Sequence, residues 1–518
     1  MPKQKTDDLM RLINSLSRAE KRHFRAFVKR NQAQEADILF LQLFNQLEAA
    51  GYYDEEAVLK RITGLRKRQL SNIKGHLYKQ LLISLRLLHG SRDIEIQLRE
   101  QIDHARVLYT KGLYQQALDV LDKAKKDALK SEFELVALEI AQFEKLIEAQ
   151  HISRGIESRA EELTHQCAQL VNNLAATDHY ANLAIQMYSH YLKQGLVINK
   201  QELHSVEELF ADRLLFGDFE QLNFWGQVHH CQAYYWYHHI RQEFPLCYRH
   251  TQRLIDLYEA NQAMIERKPD LYLRALHNHL SNLFNMWRHD RYAEALPLLL
   301  SLPRTYKPKY DFNTEALFQQ YRFTHVIMLY FLEGRFTDGL KLVPELTQII
   351  DEDRYHWDEY RNLVFNYRIA CLYFGSGDPE TAIDYLNRII NKRSPDYRSD
   401  IQAYARILSL ICHFELGNVQ LVEYQVKSVY RFLAKVEHLQ ETQKVIFRFL
   451  RRIPRIREEE IRDEFIQLKK QYDTVSQNPF ERRPTLYLDI SSWLESNIEG
   501  VAVEDVIRKK FLASKSSS

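Results

Sequence analysis

Turn residues recur along the chain at nearly constant spacing, and this recurrence limits the possible folds more than any other feature of the sequence. Consecutive turn positions lie 40 to 48 residues apart, and six of the eight are glycine although the chain has only 15 glycines. Internal periods of this length are typical of stacked helical hairpins. The sequence therefore predicts about eight hairpins, with turns at Gly112, Gly155, Gly195, Gln242, Asp290, Gly334, Gly377 and Gly417.

A small residue follows most of these turns at a fixed distance of five positions. A glycine accepts the left-handed backbone conformation that ends a helix. A small residue one turn into the next helix lets the two helix axes approach closely. Each repeat is therefore predicted to be a tight helix–turn–helix unit. The small residues at this position are Ala117, Ala160, Cys247, Ala295, Gly339 and Ala382.

Three of the repeats carry a specific motif. The segment from Leu108 to Leu118 reads Leu-Tyr-x-x-Gly-x-Tyr-x-x-Ala-Leu and resembles the central part of tetratricopeptide repeats, as do Tyr330 to Leu340 and Tyr373 to Ile383. The period is longer than the 34 residues of that family, so the helices are expected to be longer. The resemblance implies an all-α fold with a right-handed α-solenoid, whose concave face binds a peptide or a helix.

Charge and the repeat frame divide the chain into three expected parts. Residues 1–92 hold 18 Lys and Arg against 9 Asp and Glu, whereas the rest of the chain holds 53 against 60. We expect a basic N-terminal helical bundle at 1–92, the tetratricopeptide-like solenoid at 93–440, and a charged helix with capping helices at 441–518. A basic bundle ahead of a repeat array also resembles large bacterial repeat proteins.

Two helix starts in this frame have recognisable caps. Ser17 and Glu20 form a capping-box pattern that opens a helix ending near Arg30. Asp378 followed by Pro379 is an N-cap with proline at the first helical position. Both helices are predicted to begin at these residues.

The composition favours a chain of the reduced cytoplasm that does not enter membranes. The longest uncharged apolar stretches, such as Val326 to Leu332, are far too short to cross a bilayer. The first residues, Met1 to Arg11, are charged and lack the apolar core of a secretory signal. The five cysteines are an odd set without a Cys-x-x-Cys pair, which favours buried free thiols. We therefore expect a cytoplasmic location.

Catalytic and cofactor motifs do not occur in the sequence, so we predict a non-enzyme without a cofactor. There is no P-loop, Gly-x-Gly-x-x-Gly, Gly-x-Ser-x-Gly or His-Glu-x-x-His pattern. Residues 223–239 are rich in histidine and aromatic residues. His230 and His238 share one helix face but lie about 12 Å apart along its axis, too far to bind one metal ion. This helix alone is therefore not predicted to hold a metal, and packing aromatics are the favoured interpretation.

Two functions remain open from the sequence. The first is a non-catalytic scaffold for a protein or peptide partner. Arg274, Asn278 and Asn282 are spaced i, i+4 and i+8, and Asn362 and Asn366 repeat a shorter form. Asparagine amides bond the main chain of an extended peptide, and arginine binds carboxylates. These five residues are candidates for the partner-binding groove, with ordinary polar positions or buried helix-to-helix links as the alternative.

The second function is a nucleic-acid-associated regulator in which the repeat array senses a peptide. Arg66, Lys67, Arg68 and Lys74 decorate the start and outer face of a helix predicted from about Leu65 to His89. Such a basic helix end is suited to phosphate contacts. However, no aromatic residues for base stacking are interleaved with the basic ones, and the net charge of the whole chain is only +2. We therefore rank this function below the scaffold, because these cations equally serve to solvate a small bundle.

Overall fold

The chain is helical throughout the part that the structure describes. A computed structural model describes residues 8–516, apart from the segments 32–34, 63, 91–92, 151–155, 212–217, 307–309, 393–398, 436–439, 453–455 and 482–488. Within these described ranges the secondary structure consists of α-helices and short 3₁₀ turns, with no β-strand. The predicted all-α class is confirmed.

The chain divides into two compact units, residues 1–174 and 175–518. The boundary falls inside one long helix, whereas the charge pattern and the repeat frame predict divisions at residues 92 and 440. The helices that begin in the first unit are α1 Asp8–Ser15, α2 Arg18–Asn31, α3 Glu35–Ala50, α4 Glu55–Arg61, α5 Lys67–Gly90, α6 Ile94–Thr110, α7 Tyr114–Lys130, α8 Glu134–Gln150 and α9 Ile156–Gln194.

The second unit begins within α9 and continues through a series of antiparallel neighbours. Helix α17 leads through a 3₁₀ turn into α18. Its helices are α10 Lys200–Ala211, α11 Phe224–Ile240, α12 Phe244–Ala260, α13 Gln262–Arg267, α14 Pro269–Asn285, α15 His289–Tyr306, α16 Phe312–Glu333, α17 Phe336–Gly339, α18 Val343–Asp351, α19 Glu359–Gly375, α20 Pro379–Ile390, α21 Ser399–Glu415, α22 Val419–Lys435, α23 Glu441–Arg452, α24 Ile461–Ser476, α25 Ile490–Glu499 and α26 Val503–Ser516.

The first unit contains two separate hydrophobic cores. One joins α1 to α5 between Leu9 and Leu81. The other joins α6, α7 and α8 with Leu170 of α9. The predicted capping box of α2 is present: the Ser17 amide donates to Glu20 Oε2 at 2.7 Å, and the Glu20 amide donates to Ser17 Oγ at 3.3 Å. This reciprocal pair satisfies two backbone donors at the start of α2.

The turns between helices fall where the repeat frame predicts them. A residue with positive φ lies at six of the eight expected turn positions, and glycine occupies five of these because it adopts this conformation without strain. At the Asp290 position the left-handed residue is Trp287, three residues earlier. The Gly155 position lies outside the described residues. The six positions that match are Gly112, Gly195, Gln242, Gly334, Gly377 and Gly417.

The small residue that follows a turn is buried in most hairpins. Ala117, Cys247 and Ala382 are fully buried. A Cβ atom added at Gly339 would lie 2.6 Å from Leu372 Cδ2, so a larger residue at this position would require the Leu372 side chain to move. Ala160 is the exception, because it lies on an exposed face of α9.

Helices α25 and α26 fold back along the hairpins that precede them, and we call this pair the C-terminal strap. Trp493 of α25 is buried, and its indole N–H donates to Glu415 Oε1 at the end of α21. In α26, Glu504 Oε2 accepts from Thr337 Oγ1 at 2.7 Å, and Phe511 packs edge-on against His289. The strap therefore covers the turn ends of several hairpins, whereas the sequence predicted helices that cap only the last one.

None of the helices in the described ranges is long and apolar enough to cross a membrane.

Candidate functional site

The second unit encloses a cavity of about 920 Å³. Most of its lining comes from α9, α11, α14, α16 and α19, each of which is the first helix of a hairpin. Phe336 of the short helix α17 and Ile401 of α21 also line it, whereas α10, α12, α15, α18 and α20 contribute no described residue. Val503 and Ile507 of the C-terminal strap close one side. One side of each of these five helices therefore points into a common space.

Aromatic side chains form much of the cavity wall. Trp236 of α11 packs against Tyr188 and Tyr191 of α9, with ring centroids 4.7 and 5.2 Å apart. Trp287, at the turn after α14, keeps 52% of its surface exposed. Large aromatic surfaces left partly open to solvent are typical of sites that bury a partner's apolar side chains.

Three arginines make the polar part of the cavity cationic. Arg361 Nη1 pairs with Asp358 Oδ2 at 2.9 Å, and Arg368 Nη1 donates to Thr324 Oγ1 at 2.8 Å. Arg274 is exposed and makes no hydrogen bond or ion pair with any residue that the structure describes. Asp358 and Asp489 are the acidic residues among the described lining. A guanidinium group without a protein partner is therefore available to an anionic ligand.

A chain of hydrogen bonds fixes the protons on two histidines beside this cavity. The Tyr292 hydroxyl donates to the His325 carbonyl oxygen at 2.9 Å and lies 2.9 Å from His325 Nδ1. Because the hydroxyl has one proton, His325 must donate from Nδ1 and accept at Nε2. His277 Nδ1 lies 2.8 Å from that Nε2, so it is the donor in this contact. His277 therefore carries its proton on Nδ1 and has an acceptor at Nε2.

Both histidines are neutral near pH 7. Burial, reinforced by the charges of Arg368 and Arg361, lowers the pKa of His277 to about 3. Burial also holds the pKa of His325 well below its usual value. The His277 ring stacks on Tyr321 with centroids 4.0 Å apart, and His277 lines the cavity. The site therefore offers a neutral imidazole acceptor beside cationic arginines.

Two of the five residues predicted to bind a partner line this cavity: Arg274 and Asn278 of α14. Asn282 was wrongly assigned to the groove, because its side chain is fully buried and Nδ2 donates to the Phe244 carbonyl of α12 at 3.1 Å. It links two helices of neighbouring repeats, and this link was the alternative considered for it.

Asn362 and Asn366 of α19 do not line the cavity either, although both were candidates for the groove. Asn366 is buried, and its Nδ2 donates to the Asn362 carbonyl oxygen at 2.7 Å. Asn362 Nδ2 contacts the Trp357 carbonyl oxygen at 3.5 Å. The charged residues of this helix that line the cavity are instead Arg361 and Arg368, and their i, i+7 spacing places them on the same helix face.

The four basic residues predicted to contact nucleic acid lie in two different environments. Lys67 Nζ pairs with Glu55 at 3.1 Å, and Lys74 Nζ lies 3.9 Å from the centroid of the Tyr53 ring. Arg66 and Arg68 are exposed and have no ion pair within the described part of the chain. Two of the four cations are therefore available for phosphate.

A second group of side chains is close enough together to hold a metal ion. His230 and Cys231 of α11 and His250 of α12 each place one ligand atom within 4.8 Å of the other two. The sequence drew attention to the histidines of α11, but it gave no sign that α12 supplies another. This group lies on the side of α11 that packs against α12.

Comparisons of the chain with protein-family models, with curated proteins and with solved structures found no match.

Proposed function

We propose that this protein is a non-catalytic scaffold of the cytoplasm, built as a tetratricopeptide-like α-solenoid, whose cavity holds a peptide or helix of a protein partner. The observation that carries this proposal is the arrangement of the cavity wall, most of which comes from one side of each of the five helices α9, α11, α14, α16 and α19. Stacked hairpins produce such a concave surface as a consequence of their regular rotation. The five cysteines are all buried and free, which fits a reducing compartment.

The chemistry of the lining favours a peptide that carries a carboxylate and aromatic or aliphatic side chains. Side-chain amides both donate and accept, as the main chain of a bound peptide requires. Arg274 supplies an available guanidinium group, which binds a carboxylate in a bidentate manner. The aromatic walls supply pockets for apolar anchors. The amides that line the cavity are Asn182, Gln232, Asn278, Asn285 and Gln320.

The role of Arg274 gives a direct test. A phage-displayed library of random peptides, selected on the purified full chain, is expected to yield peptides rich in carboxylates and aromatic residues. Arg274→Ala is expected to weaken a selected peptide by about tenfold, since a charge-assisted pair is lost from a partly desolvated site. Affinity is measured by fluorescence anisotropy, and melting temperature is measured in parallel.

Arg288→Ala is the matched control, because Arg288 is also exposed but does not line the cavity. This variant is expected to bind the peptide as the parent does. If the selected peptides lack acidic residues, or if the Arg274→Ala variant binds them as tightly as the parent does, the proposed binding of a peptide carboxylate by Arg274 is wrong. A library that yields no binder at all would count against the scaffold itself.

A nucleic-acid contact is the second candidate, favoured by the exposed Arg66 and Arg68 at the start of α5. If it holds, the full chain binds a short DNA duplex or single-stranded RNA with an affinity that falls steeply with salt. Arg66→Ala/Arg68→Ala is then expected to reduce the salt slope by about two. The control Lys60→Ala/Arg61→Ala removes two exposed cations from neighbouring α4. Absence of salt-dependent binding discards this candidate.

A further inference from the structure

Two histidines, one buried and one half-buried, and a buried cysteine meet between α11 and α12, on the opposite side of α11 from the residues that line the cavity. His230 and Cys231 are consecutive on α11, and His250 comes from α12. One ligand atom of each lies within 4.8 Å of the others. Ligand atoms of one Zn²⁺ ion lie roughly 3.3 to 3.8 Å apart, given bond lengths of about 2.0 to 2.3 Å and tetrahedral angles. The upper limit of 4.8 Å is about 1 Å longer than these separations, so the three side chains must move closer together to bind one ion.

The two imidazole rings have nitrogen atoms without partners. His230 is 9% exposed, and its Nδ1 has no hydrogen-bond partner among the described residues. The Nδ1 of His250 is also buried and lacks a partner within the same ranges. Buried polar atoms in folded proteins are nearly always paired, and unpaired ones mark strain, an ordered water or an ion. Each of the two histidines in this group therefore has a buried nitrogen that an ordered water or an ion could satisfy.

The surroundings limit the kind of ion that the group accepts. The guanidinium carbon of Arg253 lies 4.4 Å from the centroid of the Phe219 ring, which packs edge-on against His230 with centroids 5.2 Å apart. Among the described residues this group contains two imidazoles and one thiol and no carboxylate, which does not match the oxygen-rich donor set of Mg²⁺ or Ca²⁺. Two imidazoles and one thiolate are a donor set that Zn²⁺ prefers, and the thiolate charge offsets part of the ion's charge.

We propose that His230, Cys231 and His250 form a Zn²⁺ site that joins α11 to α12, with the fourth coordination position taken by water. The site is independent of the peptide-binding cavity. On binding, three metal–ligand bonds form and the Cys231 thiol loses one proton to solvent. The alternative is that the His230 ring serves only as packing between Tyr180 and Tyr234, whose centroids lie 5.0 and 4.5 Å away.

Co²⁺ titration of the full-length, reduced, metal-free protein tests the proposal, because Co²⁺ replaces Zn²⁺ and reports its ligands by absorption. The parent protein is expected to bind one equivalent with a thiolate-to-cobalt charge-transfer band in the near ultraviolet. Zn²⁺ is then expected to bleach that band. Cys231→Ser is expected to lose the band, and His250→Gln to weaken Zn²⁺ binding by at least tenfold.

Two matched controls come from the same hairpin. Cys247→Ser removes a thiol of α12 that contacts the Tyr235 carbonyl oxygen at 3.7 Å instead of the site, and His229→Gln removes the histidine next to His230. Both are expected to retain the band and the affinity. A parent protein without the band overturns the proposal whatever the variants do. A band that survives in Cys231→Ser, or disappears in Cys247→Ser, also overturns it.

Discussion

Replacing Ala382 with tryptophan is expected to lower the free energy of unfolding by about 3 kcal/mol, the upper end of the usual cost of overpacking. Ala382 is fully buried one turn into α20, in a core that also contains Leu386 and Leu408. Since cores are close-packed, an indole at this position must push α20 away from its neighbours. Unfolding by urea, followed by circular dichroism, measures the change.

Glu459→Trp serves as the control, because Glu459 is exposed on the 3₁₀ turn before α24. The same side chain added there is expected to change the free energy of unfolding by less than about 0.5 kcal/mol. Equal urea midpoints for the two variants would show that the small residue after the turn does not mark close helix contact.

The largest effect is expected in the first unit, where Lys125→Met should destabilise the protein by about 3 to 5 kcal/mol. Lys125 forms a buried ion pair with Glu144, which is itself fully buried. Arg159 Nη2 also lies 3.4 Å from Glu144 Oε1, but the same nitrogen forms a closer ion pair with Asp122 at 2.9 Å. Removing the lysine leaves a buried carboxylate with only part of its compensation, and the cost appears in denaturant unfolding.

The double variant Lys125→Met/Glu144→Leu distinguishes stability lost by breaking the Lys125–Glu144 ion pair from stability lost through poorer packing. Replacing both members of a buried ion pair by apolar residues is often neutral, so the double variant is expected to recover most of the lost stability. Arg159 keeps its contacts with Asp122 and Glu162 in this background. If the double variant is as unstable as Lys125→Met, the lost stability does not come from leaving the Glu144 carboxylate without its partner.

Local rules explain why the turns were predictable. A glycine at the end of a helix indicates a left-handed backbone conformation, and this conformation depends only on the few residues around it. Gly112, Gly334 and Gly377 accordingly lie in the left-handed region. Even Gln242, which has no such preference, was located correctly by the spacing of its neighbours alone. The capping box of α2 is local in the same sense.

The site was less predictable because it depends on which helix faces meet. The i, i+4, i+8 spacing of Arg274, Asn278 and Asn282 correctly places them along one strip of α14. The spacing does not reveal that α12 covers Asn282, because the residue that Asn282 contacts, Phe244, lies 38 residues earlier in the chain. His250 presents the same difficulty: helical spacing within α11 excludes a metal site on that helix alone, but the missing ligand lies on its neighbour.

The C-terminal strap has a consequence for how the second unit assembles. Hairpins that contact only their neighbours form from local interactions, and such arrays fold quickly from any point. The bond between Thr337 and Glu504 instead spans 167 residues. Closing so long a loop is entropically costly before any contact repays it. We therefore expect the strap to dock late in folding, and once docked to make the hairpins it contacts unfold together.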